Sequence, residues 1–162
     1  MNQMALLDLL RLGLFPALAC AAIGTDLARR IIPNAVVLGL AAGFALAAVL
    51  TPLGDLSLRL MVAAGVTAAG FALFAQDVVG AGDAKLAGAL VLWLDPAQVP
   101  LFLLACSFIG AGLTLAATLG ARPHALPHPV ALIARTGQTL PYGVALSGAG
   151  LLLFPFSSLM LG

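Results

Sequence analysis

The stretch Gly80-Ala81-Gly82-Asp83-Ala84-Lys85 places one carboxylate and one ammonium on a short turn between two apolar segments. Charge inside apolar membrane segments is costly and marks a functional site by default. The two glycines allow a sharp turn or a close approach of a ligand to the backbone. A second carboxylate, Asp26, lies at the end of the first apolar run. These two carboxylates are the candidates for chemistry.

Two carboxylates that share a site cannot both ionise easily, so one keeps a proton while the other accepts a proton from water. Aspartyl proteolysis needs this arrangement, with one general base and one acid that polarises the scissile carbonyl. Asp83 begins a helix and precedes Lys85, which favours its charged form, whereas Asp26 follows a helix C-terminus. We therefore predict Asp83 as the resting base and Asp26 as the proton holder.

The composition defines the surroundings of this pair. The chain has 162 residues, of which 62% are hydrophobic and 8% are charged, with a mean hydropathy of +1.15. Average soluble domains carry roughly 25% charged residues, so the sequence predicts an integral membrane protein. The net charge of +1 and the lack of a basic cluster give no indication of nucleic-acid binding. We predict one all-α domain over residues 1–162, embedded in the lipid bilayer.

Six apolar runs indicate a polytopic bundle of about six transmembrane helices. They cover residues 5–25, 35–51, 57–76, 84–94, 97–119 and 140–161. The fourth run is too short to cross a hydrocarbon core of roughly 30 Å, which favours a position for Asp83 at the floor of a water-filled cleft. Gly39 and Gly43, spaced four apart, are typical of a face where helices approach closely in lipid.

The basic residues predict the orientation. Most of them lie in or beside the connections 26–34, 77–84 and 120–139, so the positive-inside rule places these connections in the cytoplasm and both termini outside. Asp26 and Asp83 then lie on the same side of the membrane, together with Asp77. The other carboxylates are expected on the outer side, where water is available: Asp8, Asp55 and Asp95.

The sequence gives little support for a metal site. Cys20 and Cys106 lie in separate apolar runs and are expected to be buried structural thiols. His124 and His128 are four residues apart, but the prolines around them interrupt any shared helical face. We expect no metal and no cofactor.

Two polar residues near the predicted site have several interpretations. Lys85 can tune Asp83, bind a substrate carbonyl or extend to lipid phosphates. Tyr142, near the start of the sixth run, is expected to be an interfacial anchor. A hydrogen bond from Tyr142 to the carboxylate pair or to substrate is the alternative.

At these residues the chain resembles the type IV prepilin peptidase family, and in particular its small, single-domain members associated with tight-adherence (Flp-type) pili. Three stretches carry the resemblance in this order: Asp26 with Arg29-Arg30-Ile31-Ile32-Pro33-Asn34, then Gly80-Ala81-Gly82-Asp83-Ala84-Lys85-Leu86, then Leu140-Pro141-Tyr142-Gly143-Val144-Ala145. Together they are more specific than Gly-x-Gly-Asp alone.

The resemblance implies an aspartic endopeptidase of the bacterial inner membrane with its active site at the cytoplasmic face. It implies catalysis by Asp26 and Asp83, and supporting roles for motif residues that include Pro33, Asn34, Pro141 and Tyr142. The implied substrate is a prepilin or pseudopilin, whose short basic leader is cut after its last Gly. Larger members add a zinc-cysteine methyltransferase domain, but this chain lacks the cysteine pairs for one.

Two alternatives remain open from the residues alone. An intramembrane protease of the presenilin type also uses Gly-x-Gly-Asp, but pairs it with Tyr-Asp on the preceding helix, and the single tyrosine here is Tyr142. A small transporter or proton channel could use Asp26 and Asp83 as relay carboxylates. The sequence does not determine the oligomeric state.

Overall fold

A computed structural model describes residues 3–120 and 142–161 of the chain, except for the side chains of residues 117–120. This part is helical and contains no β-strand. The helices are α1 Gln3–Arg29, α2 Asn34–Leu50, α3 Leu56–Phe74, α4 Ala81–Val91, α5 Val99–Gly120, α6 Tyr142–Leu153 and α7 Ser158–Leu161. The all-α class predicted from the sequence is confirmed.

The number of spanning helices differs from the prediction. Among the described residues, three helices are long and apolar enough to cross a membrane: Gln3–Arg29, Leu56–Phe74 and Pro96–Ala116. The expected count of about six is therefore wrong by this measure. The 11 residues of α4 extend only about 16 Å, and a 3₁₀ turn at Phe154–Phe156 ends the regular part of the sixth run early.

The first run is one long helix, and Pro16 does not break it. A π-helical segment over Leu9–Leu14 precedes Pro16, which takes one of the first two positions of the following α-helical segment. Within a continuous helix, a local π-helical adjustment of this kind accommodates the backbone hydrogen bond that proline cannot make. Cys20, expected to be buried, is exposed on this helix.

The short helix α4 is the centre of the bundle. It contacts α2, α3 and α6, and seven of its 11 residues are buried. Beyond its end, the Trp93 ring is fully buried and packs against Phe15, Phe44 and Phe154. The Trp93 indole N–H donates to the carbonyl of Leu40 at 3.0 Å, which satisfies its polar atom inside an apolar core.

Glycines bring α3 and α4 close together. A Cβ built on Gly70 would lie 2.8 Å from the Cβ of Ala84, and one on Gly88 would clash with the hydroxyl of Thr67. The predicted Gly39 and Gly43 face also makes a close contact, since both positions abut leucines of α1. Small residues allow such contacts in lipid, where the hydrophobic effect does not drive helices together.

An ion-pair cluster closes the end of the bundle opposite Asp83. Arg59 is 1% exposed and donates to Asp55 at 2.9 Å, to the Leu94 carbonyl at 2.8 Å, to Ser158 at 2.7 Å, and to Asp95. Asp55 and Asp95, expected on the outer side where water is available, are partly exposed and also pair with Arg59. A buried guanidinium requires charged and hydrogen-bonding partners, and these two carboxylates supply them.

The structure also explains Asp77, for which the sequence suggested no specific role. Asp77 has a φ of +57°, a left-handed conformation that Asp adopts more readily than most residues. Its N–H donates to Phe74 at 2.9 Å, and the N–H of Val78 donates to Leu73 at 3.0 Å. These bonds satisfy the last carbonyls of α3 and turn the chain toward Asp83.

Candidate active site

Asp26 lies within the last turn of α1, three residues before the helix ends, rather than after the helix as the sequence indicated. The residue is 6% exposed. The N–H of Arg30 donates to the Asp26 carbonyl at 3.0 Å, and Arg30 has a φ of +54°. This left-handed residue ends α1 and reverses the chain. Its side chain is close enough to interact electrostatically with the Asp26 carboxylate.

Asp83 is the third residue of α4 and is partly buried. Its Oδ2 accepts the N–H of Gly80 at 3.1 Å, so the carboxylate caps the first turn of the helix. Asp83, expected from the sequence to begin the helix, thus lies inside its first turn. Capping holds the carboxylate at the positive end of the helix dipole.

The structure brings the two predicted carboxylates together. Asp26 and Asp83 line the same cavity of about 280 Å³ and interact electrostatically. The cavity lies where α1 ends and α4 begins, and its other polar side chains are Arg30, Asn34 and Lys85. The two carboxylates, 57 residues apart in sequence, therefore share one polar cavity.

Two residues that the sequence did not single out complete the packing around Asp26. A Cβ built on Gly143 of α6 would lie 2.8 Å from Oδ2 of Asp26 and 3.0 Å from Cδ1 of Ile32. Ile32 in turn lies 3.4 Å from a Cβ built on Gly82. Ile32 and Gly143 are part of the stretches that carry the family resemblance, which was the signal available for them.

The backbone N–H groups of Val144 and Gly143 in α6 interact with the Asp26 carboxylate. Oδ2 of Asp26 is inaccessible to solvent and has no hydrogen bond to any described residue. Buried carboxylate oxygens are usually paired, and an exception at a candidate site requires an explanation. This buried oxygen supports Asp26 as a candidate functional residue.

The other predicted motif residues take different positions. Lys85 is exposed, and its Nζ lies 3.4 Å from Oδ1 of Asn34, which links α4 to the start of α2. Pro33 directly precedes α2 in extended geometry, and the cavity lining does not include it. Tyr142 begins α6, is 38% exposed and lines an apolar groove together with Asp83. Pro141 lies outside the described residues.

The described residues contain no group of three or more His, Cys, Asp or Glu side chains that could hold a metal ion. His124 and His128, for which the sequence disfavoured a metal, lie outside the described residues. The chemistry available at the described site is that of two carboxylates, a guanidinium and an ammonium.

This arrangement, a carboxylate pair at helix ends in an apolar helical protein, fits a membrane peptidase. A family model described as the type IV leader peptidase family matches residues 13–115. The match covers more than half of the chain and includes Asp26 and the Gly80–Lys85 stretch. The chain belongs to this family. No curated protein and no solved structure compared with the chain gave a match.

Proposed function

We propose that the protein is an aspartic endopeptidase that removes the leader peptide of a type IV prepilin or pseudopilin. The observation that carries the proposal is that Asp26 and Asp83, both within the region matched to the leader peptidase family, line one cavity. Family membership favours this function over the transporter that also fitted the residues. The position of Asp26 of α1 beside Asp83 of the central helix α4, in one polar cavity, supports the same conclusion.

The pair works as one unit that holds a single proton. The ionised carboxylate takes a proton from a water molecule, whose oxygen attacks the carbonyl carbon of the scissile peptide bond. The protonated carboxylate donates a hydrogen bond to that carbonyl oxygen and stabilises the charge that develops there. The C–N bond then breaks, the new amine receives a proton, and the two products are a carboxylate and an amine.

The finer features of the proposal rest on the resemblance and on the basic residues. The substrate is of the Flp type and is cut after a Gly between the basic leader and the apolar segment. The active site faces the cytoplasm, and both termini face the periplasm. N-methylation of the new terminus is not part of the proposed activity.

The test uses purified full-length protein and a Flp-type prepilin, with cleavage followed by a mobility shift. Asp26→Asn and Asp83→Asn are expected to reduce the cleavage rate by about 10²-fold or more, the usual contribution of general acid–base groups. Asp77→Asn is the matched control, because Asp77 is exposed and Asn tolerates its left-handed backbone.

All three variants should elute and melt like the wild-type protein in detergent. Wild-type activity in either dyad variant contradicts the catalytic pair. Failure of the wild-type protein to cut any prepilin contradicts the proposed function.

A further inference from the structure

Asp83 lies where two cavities of opposite chemistry meet. On one side is the polar cavity that it shares with Asp26, Arg30 and Lys85. On the other side is an apolar groove of about 410 Å³, formed by α3, α4, α5 and α6. Asp83 lines both. A peptide cut at Asp83 therefore has a polar environment on one side of the scissile bond and an apolar environment on the other.

The lining of the groove selects for apolar chain. Apart from Asp83, Ser107 and Tyr142, its lining side chains are apolar or carry only a thiol. Away from Asp83, a Lys or Arg side chain placed there would lose its hydration without gaining an ion-pair partner, which is strongly unfavourable. An apolar side chain meets no such penalty, so the groove discriminates by polarity.

The groove is also accessible from the side of the helical bundle. Leu73 of α3 and Leu103 of α5, which line it, are 42% and 47% exposed, so its side opens at the surface of the bundle. Its lining also includes the small residues Ala69 and Gly70. Since apolar segments gain little from leaving lipid, association there depends on close van der Waals packing, which small residues permit.

We propose that this groove, defined by Ala69, Leu73, Leu103 and Ser107 around Asp83, binds the apolar segment that follows the scissile bond of the substrate. The basic leader and the residue before the bond then lie in the polar cavity. The groove thus fixes the direction in which the peptide crosses the two carboxylates. This inference rests on the proposed function and assigns its substrate-binding surface.

A cross-linking experiment tests the occupant directly. In an Asp83→Asn protein that also carries Cys20→Ser and Cys106→Ser, a single cysteine is introduced as Leu103→Cys or Leu104→Cys. Both leucines are about half exposed, at 47% and 52%, but only Leu103 lines the groove. A prepilin with one cysteine in its apolar segment is added in liposomes under oxidising conditions.

A disulfide adduct at Leu103→Cys at least fivefold more abundant than at Leu104→Cys is expected. If the two variants give equal amounts of adduct, or if Leu104→Cys gives more, the proposal is overturned and the groove faces only lipid. If the wild-type protein cuts the prepilin but the cysteine variants show no preference for Leu103→Cys, the proposed function stands and the groove assignment is refuted. A wild-type protein that does not cut the prepilin instead refutes the proposed function.

A kinetic experiment provides an independent measurement. Ala69→Trp fills the groove, whereas Ala68→Trp places the same side chain on the neighbouring exposed position, which does not line it. Ala69→Trp is expected to raise KM for prepilin at least tenfold with a smaller change in kcat, and Ala68→Trp to leave both unchanged. Equal kinetics for the two variants overturn the proposal.

Discussion

Gly143 lies against the carboxylate of Asp26, so closely that a Cβ at this position would be 2.8 Å from Oδ2. The two residues belong to helices separated by more than 110 positions in sequence. The contact shows that α6 forms one wall of the candidate site. The absence of a side chain at Gly143 is what allows Asp26 to occupy its position.

Gly143→Ala is therefore expected to displace the Asp26 carboxylate and lower the cleavage rate by about 10²-fold, the usual effect of misplacing a catalytic group by about 1 Å. Cleavage of a prepilin by purified protein gives the measurement. Gly148→Ala on the same helix is the control, because its Cβ would make only an ordinary 3.5 Å contact with Ile109. Equal activity in the two variants contradicts this role for Gly143.

The two glycines at the start of α4, Gly80 and Gly82, are expected to differ in their effect on activity. A Cβ on Gly80 would lie 2.8 Å from Oδ2 of Asp83, whereas one on Gly82 would contact Ile32 at 3.4 Å. Gly80→Ala should therefore shift Asp83 and reduce activity at least tenfold more than Gly82→Ala does. The measurement is the cleavage rate of each variant on the same prepilin at the same protein concentration. A larger loss in Gly82→Ala would show that substrate, rather than Asp83, needs the space.

The close contact between α3 and α4 predicts a rescue experiment. Gly88→Ala should destabilise the protein by about 1–3 kcal/mol, as overpacking usually does, because the new methyl group meets the hydroxyl of Thr67. Adding Thr67→Ala removes that hydroxyl and should restore part of the stability, as measured by unfolding in detergent. A double variant less stable than Gly88→Ala alone contradicts the assigned contact.

The Arg59 cluster predicts a pH dependence of stability. Burial by itself raises the pKa of Asp95, but hydrogen bonds from Ser158 and the charge and hydrogen bond of Arg59 outweigh it and lower the pKa below its ordinary value. The ionised form is thus favoured in the folded state. Its stabilisation is present above the unfolded pKa of about 3.9 and is lost as the pH falls through the lower folded value.

The unfolding temperature in detergent should therefore fall on acidification below about pH 4. Asp95→Asn should melt at a lower temperature at neutral pH and show a weaker dependence over the same interval. Asp8→Asn, at an exposed position, serves as the control for general acid effects. If the unfolding temperatures of the wild-type protein and of Asp95→Asn change in parallel with pH, the stabilising role of ionised Asp95 is contradicted.

Asp26 and Asp83 could be predicted from the sequence because charged side chains are energetically costly in apolar membrane segments and are therefore rare there. The same reasoning gave the all-α class, since an apolar backbone in lipid must satisfy its hydrogen bonds internally. The three motif stretches also indicated the family. The helix boundaries near the site were right to within four residues. The remaining errors placed Asp26 after its helix instead of in the last turn, and Asp83 at the start of its helix instead of at the third residue.

The pairing of Asp55 and Asp95 with Arg59, and of Gly143 with Asp26, was decided by the tertiary structure. Each contact joins residues that are distant in the chain, and the residues themselves carry no local signal that names their partner. The shortness of α4 was visible in sequence, but its position at the centre of the bundle was not. The pattern of hydrophobic residues in the sequence shows which residues are apolar. Only the packing of the helices determines which apolar surfaces meet and where they leave a groove beside Asp83.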